Sequence, residues 1–115
     1  MGAEQFETTA IGATADEAFA VAVNEAHYWH GHSGYTGTVC EKPGFVEFPV
    51  PEGSTVADVV AALEVSWQDT KPLEAIYGDT DTVSKIAGFY DDKWEAAIAL
   101  RVDETSWLFC GWASC

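Results

Sequence analysis

The chain has 115 residues, of which 48% are hydrophobic and 13% aromatic, and it carries nineteen acidic against five basic side chains, a formal charge of −14. That length fits one domain spanning 1–115 with a core of its own, and so rich an aromatic content excludes a disordered acidic tail. A field of this sign repels nucleic acid and anionic membrane and attracts cations and basic protein surfaces.

The N-terminus, Met1-Gly2-Ala3-Glu4-Gln5, has no basic region and no apolar run behind it, so no signal peptide is expected. Glu4 to Ile11 reads as a first strand, ended by Gly12. Thr14 and Glu17 are spaced as a capping box, and Ala15, Ala18, Phe19, Ala22, Val23 and Ala26 then repeat on one helical face, which predicts a helix over Ala15–His30. Gly31 ends it and opens a loop through Thr38 with glycines at 31, 34 and 37.

Val39 to Glu41 and Phe45 to Phe48 read as short strands about a Lys42-Pro43-Gly44 turn. Thr55 and Asp58 form a second capping box, with Val56, Val59, Val60 and Leu63 on one face of a helix reaching about Val65. Trp67 to Tyr90 has no single reading. Pro72 is placed to open a helical turn toward Tyr77, Gly78 to Thr82 looks like an exposed loop, and Val83 to Tyr90 fits a helical turn or a strand.

Trp94 to Val102 and Ser106 to Ala113 flank Asp103-Glu104-Thr105 as a hairpin. Trp107 and Phe109 alternate with Leu108, Cys110 and Trp112, so the last strand is apolar on both faces and belongs inside a sheet covered on both sides. The expected fold is a single α+β domain, a mainly antiparallel sheet with two helices packed on it. Phe6, Phe19, Val23, Val60, Leu63, Ile98, Leu100, Leu108 and Cys110 are its expected core.

The run His30-Gly31-His32-Ser33-Gly34-Tyr35-Thr36-Gly37-Thr38-Val39-Cys40-Glu41-Lys42 resembles an HGxxGYTGTxxEK motif of a family of small uncharacterised bacteriophage and prophage proteins. The preceding strand and Ala-rich helix are similar to that family too, as is the closing Trp107 to Cys115 segment. The resemblance implies a mobile-element origin and a host-cell cytoplasm. It carries over no catalytic residues.

His27, His30 and His32 are the candidate metal ligands, with Cys40 or Glu41 as additional donors. Their spacing matches no standard zinc pattern, and the simpler reading extends the helix stripe and bonds the loop. The glycine loop follows a helix instead of preceding one and lacks Lys and Arg, so it reads as a turn and not a phosphate cradle. Asp79-Thr80-Asp81-Thr82 matches half a calcium loop, but Ser84 and Lys85 break the pattern. Asp91-Asp92 reads as a turn, and Cys110 as a core thiol. The odd set Cys40, Cys110 and Cys115 suggests reduced thiols and a cytoplasmic setting. Most of the five Trp should lie in the core, with one or two on an interface.

The expectation is therefore a non-enzymatic acidic binding protein with no cofactor and no direct affinity for nucleic acid or membrane. Its partner would be a basic, nucleic-acid-binding surface of a host protein, engaged by carboxylates such as Glu47, Glu52, Asp58 and Asp69 acting as phosphate mimics in an anti-defence role. The alternatives are a metal-binding protein or metal-dependent enzyme using the three histidines, and a phage structural or assembly component.

Overall fold

The computed structural model describes residues 2–30 and 37–114, the His30 side chain excepted. Four strands form one sheet in the order β1-β4-β3-β2. They are β1 (Ala3–Ile11), β2 (Phe45–Glu47), β3 (Ala97–Arg101) and β4 (Ser106–Ser114). Four helices accompany them: α1 (Ala15–His30), α2 (Val56–Glu64), α3 (Lys71–Tyr77) and α4 (Thr80–Asp91). The α+β class and the mostly antiparallel sheet are as the sequence predicts.

β4 lies inside the sheet because both of its faces are apolar. It pairs antiparallel with β1 along that strand's whole length, from Ala3↔Ser114 to Ile11↔Ser106, and antiparallel with β3. β2 pairs parallel with β3. A parallel neighbour requires a crossover connection, and the segment carrying α2, α3 and α4 provides it.

The two faces bury different residue sets. One holds Phe6, Ala10, Ala97, Ala99, Trp107 and Phe109 with the α1 row Ala15, Ala18, Ala22 and Ala26. The other joins Ile98, Leu100, Leu108 and Cys110 to Val59, Leu63, Leu73, Ile86 and Tyr90 of α2, α3 and α4. The strand alternation of β3 and β4 sorts these residues, since successive side chains point to opposite faces. On the α1 side, Ala97 and Ala99 lie beside Phe45 and Phe109 in register. Their small side chains leave room for Phe19, whose ring lies 5.3 Å from Phe45 and 5.4 Å from Phe109.

Phe6, Val60, Leu63, Ile98, Leu100, Leu108 and Cys110 are buried as expected. Phe19 and Val23 are only half-buried, because the alanines take the centre of the α1 contact and these two sit on its flank.

Two glycines are required by close approach. A Cβ at Gly12 would fall 2.5 Å from the Ala18 amide nitrogen, where β1 turns into α1. Gly111 has φ +152° and stands opposite Phe6 in the β1–β4 ladder, with its Cβ position 3.4 Å from that ring.

The helix starts follow the caps in the sequence. The Glu17 N–H donates to Thr14 Oγ1 at 3.3 Å, while the Glu17 carboxylate accepts from Ala13 N–H at 3.1 Å. Thr55 and Asp58 complete a reciprocal box at 3.1 and 2.9 Å.

Three expectations are corrected. Val39–Glu41 is a 3-10 turn and not a strand, closed by Glu41 N–H to Thr38 O and Lys42 N–H to Val39 O. Among the described residues the helices number four, where two were expected. Gly78 to Thr82 is no loop: Gly78 caps α3 in the left-handed region, and Asp79 is the N-cap of α4.

Candidate functional site

Charged side chains offer a partner direct contacts only where they reach the surface. Every acidic side chain except Glu41 is exposed. The cations are placed differently. Lys42 is buried, and its Nζ donates to Asp92 O at 3.0 Å, at the C-terminal end of α4, with the Phe6 ring 5.9 Å away. Burial lowers the Lys42 pKa, and the nearby Asp92 and Glu95 carboxylates pull it back up. Lys93 donates to Gly2 O and lies over Trp94. Arg101 donates to Asp103 O and Glu104 O and stacks on Trp107, bracing the β3–β4 turn.

Glu47 lies on edge strand β2, Glu52 in the following loop, Asp58 in the first turn of α2, and Asp69 between α2 and α3; all four are exposed. Two of them also hold local structure: Asp58 belongs to the capping box, and Asp69 Oδ1 accepts from the Lys71 N–H at 3.0 Å.

Of the three histidines, His27 is half-buried on α1, while the His30 side chain and His32 lie outside the described residues, as do Gly31 and Gly34 of the glycine loop and Cys115. Among the described residues, no three His, Cys, Asp or Glu side chains converge as a metal site. The half calcium motif is a helix cap. Asp79 accepts from Thr82 Oγ1 at 2.6 Å and from the N–H groups of Asp81 and Thr82, and these bonds, the hydroxyl first, hold its carboxyl below the ordinary range.

Asp91 ends α4, where partial burial raises its pKa, and Asp92 Oδ1 accepts from the Trp94 N–H at 2.9 Å. Cys110 is a core thiol, pushed up to about 12 by burial and then by the charges of Glu7 and Glu64. That direction removes the thiolate a nucleophile needs. Cys40 is half-buried with its Sγ 2.9 Å from Thr38 Oγ1. No described helix is long and apolar enough to cross a membrane.

The tryptophan expectation is corrected. Trp107 is buried and Trp112 half-buried, but Trp29, Trp67 and Trp94 are 76%, 73% and 55% exposed. Trp29 continues the row of Ala22 and Ala26 on α1. At that turn the row lies beside Thr8 of edge strand β1, so the indole walls a cleft instead of entering the core.

This cleft, about 170 Å³, is lined by Thr8, Ala22, Glu25, Ala26, Trp29 and Thr38. Tyr28 stands perpendicular to Trp29 at 5.1 Å and is 81% exposed. The sequence reading missed Glu25 and Trp29 as a pair. Their i, i+4 spacing was the available signal. A second, apolar cleft of about 210 Å³ on α4 is lined by Ser84, Lys85, Gly88, Phe89 and Glu95.

Compared with protein-family models, with curated proteins and with solved structures, the chain matches none of them.

Proposed function

We propose that this chain is a binding protein without catalytic machinery, which engages a basic, nucleic-acid-binding surface of another protein and presents carboxylates where phosphates would lie. The observation that carries this reading is the asymmetry between the two charge sets. The acids stand exposed on ordered helices, strands and turns. Lys42 is buried and Lys93 half-buried, while Lys71, Lys85 and Arg101 remain exposed. Eighteen exposed carboxylates therefore face three exposed cations. The phage-like motif of His30 to Lys42 supports a host protein as the target, and an anti-defence role follows from blocking its nucleic-acid groove.

The test is capture of partners from bacterial lysate by immobilised protein, compared with a variant carrying Glu47→Gln, Glu52→Gln, Asp58→Asn and Asp69→Asn. Asparagine still accepts the capping hydrogen bonds, so the fold survives. Exposed ion pairs contribute about 0–1 kcal/mol each, so four lost charges weaken a Coulombic complex by a few kcal/mol at low salt. Equal capture by both proteins at low and high salt contradicts the proposal.

A further inference from the structure

We propose that the cleft between α1 and β1 receives a single arginine side chain from the basic partner. The inference rests on the functional reading above and gives it a contact point. Three features of the cleft match a guanidinium group. Trp29 offers an aromatic wall, Glu25 offers a carboxylate one helical turn away on the same face, and Ala22 and Ala26 leave an apolar floor between them.

The floor and wall suit the aliphatic stem and planar head of arginine, and the carboxylate suits its N–H fork. Lysine fits less well, because its ammonium is a strongly hydrated point charge without a planar face to stack. Both key residues are exposed, so neither is consumed by the fold. Among the described residues Glu25 has no cationic partner. Among those residues no Lys, Arg or His lines the cleft with it.

Other occupants fit worse. A nucleic acid strand or a second copy of the chain would bring negative charge to a molecule of net charge −14. Among the described residues Glu25 is the one carboxylate lining the cleft, and a lone carboxylate does not hold a divalent cation. The cleft on α4 already contains its own cation, Lys85.

The experiment uses the full chain labelled with fluorotryptophan, so that each indole reports separately by fluorine NMR. The probes are hexa-arginine and hexa-lysine peptides at about 50 mM and about 300 mM salt. Hexa-arginine is expected to shift the Trp29 resonance and to bind about tenfold more tightly than hexa-lysine. Glu25→Gln and Trp29→Ala should each remove that preference and leave the melting temperature unchanged, with hexa-lysine binding unchanged in Trp29→Ala and weakened by no more than one exposed charge contributes in Glu25→Gln. Trp67→Ala and Trp94→Ala should keep it. Equal binding of the two peptides, or a preference that survives in both cleft variants, overturns the arginine site and leaves the acidic-surface reading standing. Absence of binding by either peptide at low salt overturns both.

Discussion

Single titratable groups make this fold sensitive to alkali. Burial pushes Cys110 up to about 12 from an ordinary 9.0, and Tyr77 up to about 12 from 10.0. Tyr90 is raised as well, chiefly by burial, and its hydroxyl accepts from Gln5 of β1. Each holds its proton in the folded state after an unfolded chain has released it. Their stabilising contribution is therefore complete below pH 9 and is lost as pH rises toward 12. Lys42 works in the opposite sense. Its folded pKa is lowered, so between that value and 10.5 it favours the fold more as pH rises. Cys110, Tyr77 and Tyr90 act together against Lys42 alone. Urea midpoints should fall steadily from about pH 8.5 to about pH 10.5. Cys110→Ala should flatten the early part of that decline and Lys42→Met should steepen it; unchanged profiles in both variants contradict these assignments. None of this was legible beforehand. Charge type is written in the sequence, but burial is set by long-range pairing, and Lys42 reads there as one half of a turn.

At the scale of elements, α1, α2, β1, β3 and β4 were readable because period and caps agree, as with Thr14 and Glu17 before the alanine row, or Thr55 and Asp58 before Val59 and Leu63. α3 and α4 were not. α3 has seven residues, too few to establish a period, and Gly78 and Asp79 look like loop when they are in fact one helix's stop and the next one's start. Gly88 further disguised α4, although Val83, Ile86 and Tyr90 do fall on one face. The two glycines of this half should answer oppositely to alanine. At Gly88 nothing lies within 4 Å of the Cβ position, so alanine should stabilise by about 1 kcal/mol through helix propensity. At Gly111 alanine meets both the +152° φ and the Phe6 ring, and should destabilise by about 1–3 kcal/mol. Urea unfolding of the two variants decides this, and a shift of the same sign in both contradicts the local geometry given for α4 and β4.

For the molecule as a whole, charge was the property most legible in the sequence, and its disposition the least. Glu47, Glu52, Asp58 and Asp69 lie exposed, but sequence could not indicate that Asp69 also accepts from the Lys71 N–H or that Lys42 is withdrawn from the surface. Unscreened repulsion among the exposed carboxylates opposes the compact state, and the screening length shrinks from about 10 Å at 0.1 M salt to about 3 Å at 1 M. The melting temperature should therefore climb with added sodium chloride, and a flat response would mean that the acids are too dispersed to repel. Whether these carboxylates occupy a surface made for phosphates is decided by titrating duplex DNA into a complex of this chain with a partner captured from lysate. DNA should displace the chain from its partner, raised salt should do the same, and the chain alone should bind no DNA. A ternary complex in which the partner holds DNA and this chain together, at an affinity indifferent to salt, would contradict phosphate mimicry.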